Sequence, residues 1–125
     1  MTRTRREPGP DHPISVEPTP ATVTARVGEL DVARSDRALT LRESAYPAVQ
    51  YIPFEDVNTA LLQRSDTKTY CPYKGECSYY SLSTPEGILD DVVWTYETPY
   101  PAVGEIAGHV AFYPDRVTVE TIVSR

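Results

Sequence analysis

Apolar and polar positions alternate along most of this chain in short runs, and glycine, proline and acidic residues separate the runs. Val23, Ala25 and Val27 alternate with Thr22, Thr24 and Arg26, the period of two that turns one face of a strand towards a core. Gly28-Glu29 then leads into Leu30-Asp31-Val32-Ala33, which predicts a hairpin. Residues 38–43 and 49–52 alternate again. Further strands are predicted over 67–71, 78–82, 88–96, 110–113 and 117–123, with hairpin turns at Glu86-Gly87 and Pro114-Asp115-Arg116. Pro53-Phe54-Glu55-Asp56 opens with acidic residues, and Val57, Leu61 and Leu62 follow at helical spacing, predicting a short helix. One helical turn is predicted over 103–107, after Thr98-Pro99-Tyr100-Pro101 breaks the sheet. Many short strands with little helix predict a mainly β chain of antiparallel sheets with one or two short helices.

Residues 1–20 have a different texture. Pro8, Pro10, Pro13, Pro18 and Pro20 fall among few apolar residues, which predicts an extended, Pro-rich N-terminal arm followed by a single β-rich domain over 21–125. A chain of 125 residues is the length of one domain, able to hide about two-thirds of its unfolded surface.

Charge narrows the partners. Lys and Arg number 12 against 18 Asp and Glu, a net charge of −6, and Arg3, Arg5 and Arg6 form the only tight basic cluster. Phosphate backbones need a concentrated positive field, so no nucleic-acid partner is expected. No apolar run is long enough to span a bilayer, so no membrane partner is expected either. The basic N-terminus runs into no apolar stretch, which argues against a secretory signal and for a cytoplasmic location. Two cysteines in such a chain make no disulfide framework.

The densest chemistry lies in Thr69-Tyr70-Cys71-Pro72-Tyr73-Lys74-Gly75-Glu76-Cys77-Ser78-Tyr79-Tyr80, which holds both cysteines and four of the nine tyrosines. A turn at Cys71-Pro72-Tyr73-Lys74 brings its end Cα atoms within ~7 Å, so a thiol and an ammonium would share one small space. A cation beside a thiol of ordinary pKa ~8.5 favours the reactive thiolate; the alternative is a small core residue beside a solvated lysine. Glu43 shares a strand face with Leu39 and Leu41, so its carboxylate either enters the apolar side and needs partners, or ends the strand in solvent. Tyr79 and Tyr80 must point to opposite faces, one of them forming an aromatic wall; Tyr51 is a second wall candidate. Asp90-Asp91 reads as a solvated turn. Cys-x5-Cys with isolated His12 and His109 departs from the paired spacing of zinc sites, so neither a metal nor another cofactor is expected. The chain carries no Gly-rich phosphate loop, Gly-x-Ser-x-Gly elbow or His-Glu-x-x-His.

Several blocks occur together in order: Asp11-His12-Pro13-Ile14, Leu41-Arg42-Glu43, Tyr51-Ile52-Pro53, Cys71-Pro72-Tyr73-Lys74-Gly75, Trp94-x-Tyr96 and Ala111-Phe112-Tyr113-Pro114-Asp115-Arg116-Val117. Together they resemble the bacterial family catalogued as domain of unknown function 427, sometimes labelled nucleotidyltransferase-like, over nearly the whole chain after the arm. The resemblance implies a compact β-tent-like fold of antiparallel sheets. It does not carry zinc over, because paired Cys-x-x-Cys knuckles are missing. Nor does it carry nucleotidyl transfer, because no Gly-Ser dipeptide precedes spaced aspartates.

Three functions follow as expectations. The first is binding of a small anionic metabolite in a polar pocket at the Cys-Pro-Tyr-Lys-Gly turn, with Lys74 and turn N–H groups around Gly75 on the anion and Tyr51, Tyr79 or Tyr80 and His12 around it. The second is an enzyme using Cys71 as nucleophile, Lys74 to activate it and Glu43 to move protons. The third is an interaction module that homodimerises through a strand edge.

Overall fold

The computed structural model describes residues 4–123; Arg3 of the basic cluster lies outside them. Ten strands make two antiparallel sheets. In chain order they are β1 (Ile14–Pro18), β2 (Thr22–Val27), β3 (Leu30–Ser35), β4 (Leu39–Glu43), β5 (Val49–Pro53), β6 (Leu62–Cys71), β7 (Gly75–Thr84), β8 (Gly87–Thr95), β9 (His109–Phe112) and β10 (Thr118–Ile122). Seven strands are ordered β1-β4-β5-β9-β8-β7-β6, and the remaining three β10-β2-β3. The chain is therefore mainly β.

The alternation read from the sequence sorts side chains onto the two faces of the larger sheet. Ile52, Leu82, Val93 and Val110 face the smaller sheet and pack against Val23, Ala25, Val32 and Val117, all 2% exposed or less. Their neighbours Tyr51, Tyr79, Trp94 and Ala111 point the other way, into a second cluster with Leu41, Cys77, Val103 and Ile106. That second face is covered by the 3-10 segment Pro101–Ile106.

The structure departs from the sequence reading in several places. No α-helix occurs among the described residues; the acidic segment after Pro53 forms two 3-10 turns, Phe54–Asp56 and Thr59–Leu61. Val57 forms a bridge to Ala33 and Leu62 pairs with Leu82, so extended pairing overrides the helical spacing. Strand β6 consequently starts five residues earlier than predicted. The turn at Pro114-Asp115-Arg116 forms, with Val117 N–H donating to the Tyr113 carbonyl at 2.9 Å, but it closes no hairpin. Strand β10 pairs with β2, because the turn carries the chain from one sheet to the other. Asp90-Asp91 lies inside β8 rather than in a turn; Asp91 sits at φ +53° beside a register shift and accepts a hydrogen bond from the Thr67 hydroxyl at 2.7 Å. Within the Pro-rich stretch, residues 14–18 are extended and pair with β4 in the register Ile14↔Glu43 to Pro18↔Leu39.

Candidate functional site

The β6–β7 hairpin turns through Pro72, Tyr73 and Lys74, with Cys71 paired to Gly75. Lys74 N–H donates to the Cys71 carbonyl at 3.2 Å, a tight turn whose second position suits the fixed φ of proline. Gly75 then takes φ +110°, a conformation that side chains disfavour, and starts the return strand. The Lys74 carbonyl accepts from Tyr100 N–H at 2.9 Å, tying the turn to the loop before the 3-10 segment. The lysine side chain is buried beneath it, with 7% of the residue exposed.

A buried ammonium needs partners, and Lys74 has them. Its Nζ donates to Oε1 of Glu43, lies 3.8 Å from Sγ of Cys71 and sits 5.9 Å from the Tyr96 ring centroid, within cation–π range. Oε2 of Glu43 is 2.7 Å from Nε2 of His12. The pairing of β1 with β4 brings that histidine in, and its ring stacks on Tyr73 at 4.0 Å, 8° from parallel. Cys71, Lys74, Glu43 and His12 thus form one chain of contacts drawn from three separate stretches. Burial pushes the Glu43 carboxyl up, but the hydrogen bonds and charges of Lys74 and His12 outweigh it and hold the group below its ordinary range.

Next to these contacts the sheet face opens into a hollow of about 250 Å³, with Lys74 and Glu43 in its wall. Tyr51, Tyr79, Tyr96 and Trp94 supply rings, and Tyr46 and Tyr113 stand more exposed beside them. Tyr51 is 1% exposed. Its hydroxyl accepts a hydrogen bond from the indole N–H of Trp94 at 3.1 Å, the two rings meeting edge to face. Among the described residues that hydroxyl donates to none. Burial pushes the phenol well above its ordinary range, and the bond from Trp94 only partly offsets this, so the group stays an O–H donor. The Tyr79 hydroxyl is hydrogen-bonded to that of Thr69 at 2.9 Å.

Other candidates fall elsewhere. Cys71 packs against the aromatic cluster but is absent from the wall of the hollow, where Cys77 is present instead. Burial raises the Cys77 thiol above its ordinary range. His12 is not in the wall of the hollow; it reaches it through its contact with Glu43 and a ring contact with Tyr46 at 6.5 Å. Gly75 shapes the turn and is not in the wall of the hollow. Tyr80 points to the opposite face, its ring 5.9 Å from Phe54 and its hydroxyl accepting from Arg64. Sequence reasoning missed Tyr46 and Cys77 as wall residues. Cys77 was legible from its spacing, since it shares a strand face with Tyr79; Tyr46 sits in a loop and gave no signal. Among the described residues, no three His, Cys, Asp or Glu side chains are grouped to hold a metal ion.

A family model described as Domain of unknown function (DUF427) matches residues 15–123. This chain belongs to the DUF427 family. The match runs from β1 through β10, so every strand that builds the hollow is part of the family unit. No curated protein matches the chain. Among the described residues no helix is long and apolar enough to cross a membrane.

Proposed function

We propose that this DUF427 chain is a small-molecule-binding module that holds a small carboxylate, its charged end at Lys74 and Tyr51 and its body among the rings. One observation carries the reading: a buried phenol with an uncommitted proton faces the same hollow as a buried ammonium. Nζ has three N–H bonds, one used on Glu43 and one directed at the Cys71 sulfur. A carboxylate accepts the remaining N–H together with the Tyr51 O–H, and charge-assisted hydrogen bonds of this kind are the strong ones. Glu43 turns its two oxygens to Lys74 and His12, so the anion is held by directed donors and not by a net positive charge. The hollow is slightly below the ~300 Å³ lower end for drug-sized ligands, which matches a small metabolite.

Benzoate is the direct probe, with benzamide and benzylamine as controls, read by thermal shift and by ligand-observed NMR. Benzoate raises the melting temperature and the two controls do not. Tyr51→Phe keeps the ring, removes the donor and weakens benzoate at least tenfold, as loss of one charge-assisted bond of about 1.5–3 kcal/mol requires. Equal binding of all three probes, or an unchanged affinity in Tyr51→Phe, overturns the proposal.

A cysteine enzyme has one supporting observation, the Lys74 ammonium 3.8 Å from the Cys71 sulfur. The sulfur stands behind the wall and not in it, so binding is the better reading. Faster iodoacetamide labelling of Cys71 than of free cysteine, blocked by benzoate, would reverse that preference.

A further inference from the structure

The Lys74 amine lies between a sulfur and a carboxylate. Nζ is 3.8 Å from Sγ of Cys71 and donates to Oε1 of Glu43. The fold builds this spacing in, because Cys71 and Lys74 are the two ends of the β6–β7 turn, closed by the Lys74 N–H bond to the Cys71 carbonyl. Cys71 keeps partial solvent contact, so a small oxidant reaches its sulfur. The amine waiting beside it is buried, with 7% of the residue exposed. Cys77 is placed differently. Cys71 pairs with Gly75 and Cys77 with Thr69, so the two cysteines are diagonal neighbours, about 7–8 Å apart against about 4.4–6.8 Å between Cα atoms for a disulfide. Cys77 is also sealed at 1% exposure, and burial holds its thiol up, which leaves less of the reactive thiolate.

We infer that Cys71 and Lys74 form an oxidant-dependent sulfur–nitrogen cross-link, with Glu43 as the base, and that closing it takes the ammonium away from the hollow. The oxidant is hydrogen peroxide or a hydroperoxide of similar size. In the first step the sulfur attacks one peroxide oxygen and the O–O bond breaks. Thiol and hydrogen peroxide give sulfenic acid and water; sulfur loses two electrons and the peroxide gains them. In the second step Glu43 takes one proton from Nζ, and the freed electron pair of nitrogen attacks sulfur. The S–O bond breaks, and the hydroxide leaves as water with a second proton from Nζ. The products are an S–N bond, one water and a protonated Glu43, with no further oxidation. Sulfenic acids condense with nitrogen in this way where one is held beside them. The neutral nitrogen no longer makes a charge-assisted bond to an anion, so oxidation releases the ligand. That release rests on the carboxylate-binding reading above; the cross-link does not.

The test treats the whole chain with hydrogen peroxide, then alkylates with iodoacetamide and digests with trypsin without reductant. Cleavage after Lys74 is lost. The joined peptide 69–116 is lighter by about two hydrogens, as an S–N bond requires, and Cys77 alone is alkylated. Dithiothreitol restores cleavage. Peroxide weakens benzoate at least about tenfold, and dithiothreitol reverses this. In Cys71→Ser both cleavage and benzoate binding survive peroxide, whereas Cys77→Ser still cross-links. Recovery of Cys71 as sulfinic acid, or bridged to Cys77, overturns the inference and leaves the untreated benzoate site standing. A cross-link in a chain that never binds benzoate overturns the carboxylate reading alone. Cross-linking that leaves benzoate affinity unchanged overturns the release, and with it Lys74 as the anchor.

Discussion

The two faces of the larger sheet are built from alternate residues of the same strands, yet they do opposite things. The face towards β2 and β3 is mostly aliphatic and tightly packed at its centre: Ile52, Leu82, Val93 and Val110 are all 0% exposed. The face beneath the 3-10 segment carries phenols, an indole, thiols and an ion pair, and it leaves a hollow. Close packing of aliphatic carbon is the usual state of a protein interior. Rings with hydroxyl groups at their tips cannot close over one another without finding partners for those groups. The comparison teaches that one face stabilises the sheet and the other is free to carry chemistry.

The largest effect expected belongs to the closed face. Leu82→Ala removes a side chain with no solvent access and should cost about 3–5 kcal/mol, measured by urea denaturation, with benzoate affinity per folded molecule unchanged. A cost under about 1 kcal/mol would mean that this face is not the sealed core.

The ion pair comes next. Lys74→Met strands a carboxylate and should cost about 2–3 kcal/mol, near the lower end for buried pairs because Glu43 keeps some solvent contact. Glu43→Gln strands the ammonium at similar cost. The double variant should be more stable than either single one, since neither charge is then left alone. Additive losses in that cycle would show that Lys74 and Glu43 do not act as a pair.

Acid gives the smallest effect. The Glu43 carboxyl is held below its ordinary value of 4.5, so the folded state binds the proton less readily than the unfolded chain does. Its contribution is complete above about pH 4.5 and is lost as pH falls through the lowered folded value. Between pH 6 and pH 3 the wild type should therefore lose more stability than Glu43→Gln. Parallel pH profiles would remove the carboxylate from the stability of this face.

Much of the architecture was readable in the chain. Alternation located the strands after residue 20, though not β1 within the Pro-rich stretch, and put Tyr79 and Tyr80 on opposite faces, and Gly28-Glu29 and Glu86-Gly87 marked hairpins that form. Three local signals misled. Val57, Leu61 and Leu62 have helical spacing but take extended partners, the turn after Tyr113 looks like a hairpin but changes sheets, and Asp90-Asp91 looks like a turn but lies inside β8. A turn is set by four residues, whereas its partner strand is chosen by core packing between distant segments.

The site divides in the same way. The sequence by itself determined the turn that holds Cys71 near Lys74, but left Glu43 open between the apolar side and solvent. Only the tertiary structure decided that Glu43 meets Lys74, that His12 reaches round to the other carboxylate oxygen, and that Cys77 and not Cys71 stands in the wall. Those outcomes depend on β1 pairing with β4 and on the order of strands across the sheet, which local preferences do not encode. A tight turn is set by near neighbours along the chain, while the meeting of charges is fixed by which surfaces the whole fold must bury together.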